Sequence, residues 1–279
     1  MIGAVLLAAA LAPQAPVVFE ATSEAVLLDA FVTRGGEPVA GLAARDFEVL
    51  EQGRPCEVEL VSPADVPLAA LLLFDTSRSV AGPKLAHLQR ASDAFVSGLG
   101  PRDEALLLTF SHDIRLRAPL SADRGAIRRA LGALVADGRT SVNDALFSSL
   151  LLAPRLPGRP VVIVFSDGED TASWVGPESA LRAARESDTL VYAVGAGARF
   201  LCDLTTLTGG RCIADDGPDL QPAFERVLSE LRTRYLLRVT PQTSKPGWHE
   251  IRVQLRHDGA HVRTRAGYWR PRPKERTAP

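Results

Sequence analysis

The pattern of apolar and polar positions divides the chain into three zones. From Val17 to Val61 it reads as short strands. Ala25-Val26-Leu27-Leu28-Asp29-Ala30-Phe31-Val32 is rich in strand formers, and Gly35-Gly36 marks a tight turn. Phe47 to Leu50 and Cys56 to Leu60 flank a second turn at Glu51-Gln52-Gly53-Arg54-Pro55. From Val66 to Arg232 strands alternate with helices. Leu68-Ala69-Ala70-Leu71-Leu72-Leu73-Phe74 is a continuous apolar run, as expected for a strand covered on both faces. After it, Leu85, Leu88, Ala91, Phe95 and Leu99 fall on one helical stripe. The pattern then predicts a strand from Ala105 to Phe110 and an edge strand from Ile114 to Leu116. Helices from Asp123 to Val135 and from Val142 to Leu152 are expected next. A strand from Pro160 to Phe165, a helix from Pro177 to Glu186 and a strand from Thr189 to Val194 continue the alternation. Helices from Phe200 to Leu207 and from Leu220 to Leu231 close it. The last zone returns to strands, at Tyr235 to Val239, Trp248 to Leu255 and His261 to Arg265, with His257-Asp258-Gly259 as a hairpin-type turn.

Strands alternating with helices imply right-handed crossovers and a mostly parallel sheet with helices on both faces. The expected fold class is therefore α/β, doubly wound and Rossmann-like, over residues 66-232. The strand zones at 17-64 and 233-270 each hold too few strands to bury a face. They are expected to pair with each other into one small β domain. The tail, 271-279, is Pro-rich and charged and is expected to be disordered.

Ile2 to Leu11 is an unbroken run of apolar and small residues, too short to span a bilayer but of the length of a signal-peptide core. Ala10-Leu11-Ala12 resembles a cleavage site, although no Lys or Arg precedes the run and Pro13 would follow the cut. Residues 1-15 are read as a leader, and the protein as exported, periplasmic or extracellular. The alternative is a buried N-terminal strand or helix. No other segment is long and apolar enough to be a transmembrane helix.

Composition narrows the partner classes. The 279 residues are 46% hydrophobic and 23% charged, close to an ordinary globular chain. Lys and Arg total 32 against 33 Asp and Glu. Without a basic excess, a nucleic-acid partner is not expected. Cys202 and Cys212 stand ten positions apart and Cys56 stands alone. In an exported protein the first two are disulfide candidates; otherwise they are two buried small hydrophobes. The five His residues show no zinc-ligand spacing.

The candidate chemistry begins where the first apolar strand ends, at Asp75-Thr76-Ser77-Arg78-Ser79. In an extended segment alternate residues point the same way, so Asp75, Ser77 and Ser79 can aim three oxygens at one point. That point lies at the carboxyl end of a central strand, where open α/β sheets place ligands. Gly138-Arg139-Thr140-Ser141 opens a helix, and Val162-Ile163-Val164-Phe165-Ser166-Asp167-Gly168 is a buried strand ending in a carboxylate. The competing reading of each element is local: Asp75, Ser77 and Thr140 as helix caps, Asp167-Gly168 as a plain turn. Glu169 and Asp170 are given no ligand role, and Arg78 is read as solvent-exposed and available to a partner's carboxylate.

With these motifs, Val66 to Arg232 resembles a von Willebrand factor type A domain with its metal-ion-dependent adhesion site. Asp75, Ser77 and Ser79 match that family's first metal loop, Thr140 its second and Asp167 its third. The flanks, including Gly36 to Leu42, Asp46 to Val49, Leu231 to Leu237 and Arg263 to Tyr268, resemble the bacterial exported "VWFA-related" proteins. The resemblance implies that Ser77, Ser79 and Thr140 or Asp167 bind a cation directly, with Asp75 acting largely through water. Hard oxygen donors favour Mg²⁺, or Mn²⁺ or Ca²⁺, over softer metals. Neutral hydroxyls leave the ion under-neutralised, so it would seek an Asp or Glu carboxylate from a partner protein. The expected function is thus non-catalytic, metal-dependent protein binding in adhesion or complex assembly. The alternatives are a metal-dependent phosphatase or hydrolase and a metal-free scaffold. A phosphatase would carry a second Asp two residues after the first, where Ser77 stands, and no Gly-x-Ser-x-Gly elbow serves a Ser hydrolase.

Overall fold

A computed structural model describes residues 25–166, 170–195, 199–214, 219–256 and 259–272. The leader assigned to 1-15, the third-loop carboxylate Asp167 with Gly168, the turn residues His257 and Asp258, and the tail beyond 272 lie outside the described residues.

In chain order the strands of the N-terminal flank are β1 (Val26–Arg34), β2 (Glu37–Pro38), β3 (Phe47–Glu51), β4 (Arg54–Pro55) and β5 (Glu57–Val61). The central zone runs β6 (Leu68–Asp75), α1 (Pro83–Ser97), β7 (Glu104–Phe110), β8 (Ile114–Ser121), α2 (Arg124–Gly132), α3 (Val142–Leu152) and β9 (Arg159–Phe165). It continues with α4 (Pro177–Glu186), β10 (Leu190–Gly195), α5 (Arg199–Thr208), β11 (Cys212–Ala214) and α6 (Gln221–Thr233). The C-terminal flank holds β12 (Tyr235–Thr240), β13 (Gly247–Leu255), β14 (His261–Arg263) and β15 (Gly267–Arg270).

The central sheet has the order β11-β10-β9-β6-β7-β8 and is parallel except for antiparallel β8. Every residue of β6 is buried, because helices cover both faces. Leu68, Ala70, Leu72 and Phe74 pack with Phe95 of α1, Ile127 of α2 and Phe224 of α6. Leu71 and Leu73 point the other way, against Leu146 of α3, Ala180 of α4 and Leu204 of α5. The chain crosses from β6 to β7 on one side, then returns to β9 on the other. The order therefore reverses between β6 and β9, which opens a crevice at their carboxyl ends. The fold is α/β and doubly wound.

The flanking strands interleave. β12 pairs with β1 and β5, and β13 pairs with β3 and β15. The two resulting sheets, β14-β1-β12-β5 with β2 on β1 and β15-β13-β3-β4, enclose a common core. Leu28, Val32 and Leu237 meet Phe47, Val49, Ile251 and Tyr268 there. Arg234, at the start of β12, ties this sandwich to the α/β half. Its buried guanidinium donates to the carbonyls of Asp29 (3.0 Å) and Gly209 (2.8 Å) and to the Tyr192 hydroxyl (3.1 Å).

Several elements differ from the sequence reading: the short strands β2, β4 and β11 have no counterpart in it, and three others differ in extent or pairing. β8 extends to Ser121 because an edge strand whose only buried residue is Ala118 carries no apolar alternation to read. α2 stops at Gly132, leaving Val135 73% exposed in the following loop. The last strand zone splits: β14 pairs with β1 while β15 pairs with β13. With Leu255 opposite Phe47 and His261 opposite Thr33, the expected hairpin turn joins strands of different sheets.

Candidate metal centre

The first loop leaves β6 at the crevice. Asp75 is fully buried, and both carboxylate oxygens accept hydrogen bonds: Oδ1 from the Ser77 amide (2.8 Å) and Oδ2 from the Ser166 hydroxyl at the end of β9 (2.8 Å). Ser77 is extended (φ -70°, ψ 168°), but Arg78 to Val80 then form a 3₁₀ turn. Plain alternation of an extended chain thus ends at Ser77, and the turn brings Ser79 round instead. The Ser77 and Ser79 hydroxyl oxygens stand 3.0 Å apart.

The second loop is laced to the first by backbone. The Asp137 amide donates to the Thr76 carbonyl (2.8 Å), and the Arg78 amide donates to the Gly138 carbonyl (3.1 Å). Gly138 is needed here, since its φ is +87° and an added Cβ would stand 2.3 Å from His112 Nδ1. Thr140, 5% exposed, is then held by the segment after β9. Its amide donates to Thr171 Oγ1 (3.1 Å), and its carbonyl accepts from the Thr171 amide (2.9 Å). Asp75, Ser77, Ser79 and Thr140 thus lie in mutually bonded loops at one end of the sheet. Asp167 follows Ser166 directly in sequence, outside the described residues.

Helix capping does not account for these side chains. Ser77 is the N-cap of the 3₁₀ turn from Arg78, Gly82 that of α1 and Ser141 that of α3, and none of them makes a side-chain cap. Ser141 donates instead to the Ser111 carbonyl (2.5 Å), so it does not compete with Thr140. Arg78, read as available to a partner, is exposed but already paired with Asp137 (2.8 Å). The guanidinium hydrogen bond holds the Asp137 carboxyl below its usual range.

Two carboxylates without a predicted role brace the rim. Asp170 Oδ1 accepts from the amides of Ala172 (3.2 Å) and Ser173 (2.9 Å), and Oδ2 from Asn143 (3.0 Å). Burial alone would raise its pKa. The Ser173 hydroxyl and these amides outweigh that and leave it lowered. Asp144, in the first turn of α3, accepts from the amides of Trp174 and Val175. Ser166, Thr171, Asp144 and Asp170 were not identified from sequence. The only local sign was Asp144, an acidic residue in a helical first turn.

The donor set suits a hard divalent cation. Adjacent ligands of an octahedral ion with metal–oxygen distances of about 2.1 Å stand about 3.0 Å apart. The Ser77 and Ser79 hydroxyls share a hydrogen bond of this length, so both oxygens could face one ion with the shared proton turned away. Among the described residues no group of three or more His, Cys, Asp or Glu converges as a metal site. A hydroxyl-rich site needs none, since only Asp75 and Asp167 of the proposed five belong to those types. Elsewhere, Cys202 on α5 and Cys212 on β11 form a disulfide, with Cα atoms 4.9 Å apart, and Cys56 is free.

A doubly wound α/β domain whose sheet reverses beside a serine-rich loop defines the class of the von Willebrand factor type A fold. Residues 70–169 match the family model described as "von Willebrand factor type A domain", and the chain carries such a domain. Inter-alpha-trypsin inhibitor heavy chain H4 from Sus scrofa is 28% identical over 133 residues, which is 44% of this chain and 14% of that protein. The human protein of that name is 28% identical over 142 residues, 46% of this chain and 15% of its own length. The chain thus matches a small part of these longer relatives. Among solved structures, a von Willebrand factor type A protein from Catenulispora acidiphila aligns with a TM-score of 0.55. That alignment is 13% identical over 91% of this chain and 76% of that chain. Proximal thread matrix protein 1 of the mussel byssus, solved with a zinc-occupied MIDAS motif, aligns with a TM-score of 0.54. It is 18% identical over 64% of this chain and 49% of that chain. At these identities the structural likeness is one of fold. Domains of this family serve adhesion and protein interaction. No described helix is long and apolar enough to cross a membrane.

Proposed function

We propose that the chain is an exported, non-catalytic module that binds a partner protein through a divalent cation. Asp75, Ser77, Ser79, Thr140 and Asp167 would hold Mg²⁺, or Mn²⁺ or Ca²⁺. The bound ion would supply an open, positively charged position for an Asp or Glu carboxylate of the partner. The observation that carries this reading is the pair of Ser77 and Ser79 hydroxyls, 3.0 Å apart at the carboxyl end of β6. Asp75 beneath them is fixed by the Ser77 amide and the Ser166 hydroxyl, which orients its oxygens without requiring direct ligation. With Asp75 acting through water, the neutral hydroxyls of Ser77, Ser79 and Thr140 put little negative charge in direct contact with the ion, so an external carboxylate is favoured. Ser77 has no acid–base function near neutral pH, which argues against a phosphatase. Export is supported by the apolar segment Ile2 to Leu11 and by the Cys202–Cys212 disulfide, since such bonds persist in oxidising compartments.

The test is a pull-down from envelope extract with immobilised protein in Mg²⁺, repeated in EDTA and with Asp75→Ala. Retention that needs both the metal and Asp75 supports the proposal. Retention unchanged by EDTA contradicts it.

A further inference from the structure

Trp174 is 97% exposed, although its backbone is among the most firmly tied in its loop. Its amide donates to both Asp144 oxygens, each at 3.0 Å, and the next amide, of Val175, donates to Asp144 Oδ1 at 2.9 Å. One residue earlier, the Ser173 amide donates to Asp170 (2.9 Å), while Ser173 Oγ accepts from the Asp144 amide (3.1 Å). Two carboxylates, one from the loop and one from α3, thus staple the segment on either side of the indole. A large apolar side chain in full solvent lowers no energy within this fold. Held on a fixed backbone, it loses little entropy when covered, which is the condition for an aromatic anchor in an interface.

Its position says what covers it. Thr171, three residues earlier, shares three hydrogen bonds with Thr140. The loop running from α2 to Thr140, which is bonded to the first metal loop, carries Val135, 73% exposed. Arg139, beside Thr140, is exposed and forms no ion pair among the described residues. The loops that carry Trp174, Val135 and Arg139 are thus bonded to those that hold Ser77 and Thr140.

From this geometry we infer that Trp174 is the principal anchor of the partner interface. The partner is a protein segment that presents an apolar cleft for the indole beside the Asp or Glu directed at the metal. The inference rests on the metal-bridged reading of the site.

The probe is a displayed library of short segments, each with one fixed Asp or Glu and randomised flanks. It is selected on the full chain in Mg²⁺ and eluted with EDTA. The eluted segments are expected to share apolar residues at a fixed offset from the acid. Trp174→Ala should weaken them about 30-fold or more, equivalent to about 2 kcal/mol, and Trp174→Phe less. Magnesium uptake and melting temperature should stay unchanged in both variants, because the side chain is 97% exposed. Asp75→Ala should abolish both uptake and segment binding. If Trp174→Ala binds within about twofold of wild type while Asp75→Ala does not bind, Trp174 is a bystander and the inference fails alone. If magnesium is taken up but no segment elutes with EDTA, the metal-bridged reading and the inference fail together. Absence of magnesium uptake removes the underlying reading and the inference with it.

Discussion

Ser166→Ala probes the electrostatic keystone of the site without touching a proposed ligand. The substitution removes the hydroxyl that donates to Asp75 Oδ2 at 2.8 Å. Ser166 is 1% exposed and Asp75 0%, so water does not replace the lost donor unless the loops open. Alanine is smaller than serine and introduces no clash. A hydrogen bond to a charged group contributes about 1.5–3 kcal/mol net. Urea denaturation in chelator should therefore show a loss of about 2 kcal/mol with an unchanged m-value. For a chain of this size that corresponds to a melting temperature lower by roughly 4–8 °C. On an Asp75→Asn background the same substitution should cost less than half as much, because the charge that strengthens the bond is gone. A loss below about 0.5 kcal/mol in the otherwise wild-type chain would refute the view that Asp75 is a buried anion held by Ser166.

Other parts of the molecule give further tests. The Cys202–Cys212 bond closes a short loop, with a sequence separation of 10, and removing it by a double Cys→Ser change should cost about 2.7 kcal/mol in urea. Arg234→Met strips the hydrogen bonds from the carbonyls of Asp29 and Gly209 and from the Tyr192 hydroxyl. A loss of about 3–5 kcal/mol by denaturation is expected, and near-neutrality would show that this residue does not hold the two halves together. The lowered pKa of Asp170 means its contribution to stability is present above the unfolded value of about 3.9 and lost as pH falls through the folded value. The stability difference between wild type and Asp170→Asn, measured in chelator from neutral pH down to about 3, should therefore shrink on the acid side; a constant difference would contradict the assignment.

The parts of this fold visible in the sequence are those where one side chain reports its own surroundings. The run Leu68 to Phe74 announces a strand covered on both faces, and the spacing of Leu88, Ala91 and Phe95 announces a helix against it. Asp75, Ser77 and Ser79 are legible because one short loop carries all three. Their convergence has a different cause from the one the spacing suggests: the 3₁₀ turn from Arg78, and not strand alternation, brings Ser79 beside Ser77. What the sequence hides depends on distant partners. Ser166 matters through Asp75, 91 positions away, and Thr171 through Thr140, 31 away. The Asp144 and Asp170 clamps join α3 to a loop beyond β9 by hydrogen bonds from backbone amides, which leave no mark on the residue types of the donors. Of β8 only the start, Ile114 to Leu116, is legible for a related reason, since a mostly exposed edge strand lacks the apolar rhythm that marks a buried one.

The most direct test of the whole account is a calorimetric titration of the chelator-stripped protein with Mg²⁺, run beside Asp75→Ala and Ser77→Ala. The account predicts saturable uptake of one ion by the wild type and its loss in both variants, with folding retained by far-ultraviolet circular dichroism. No uptake by the folded wild type, or equal uptake by all three proteins, would contradict it.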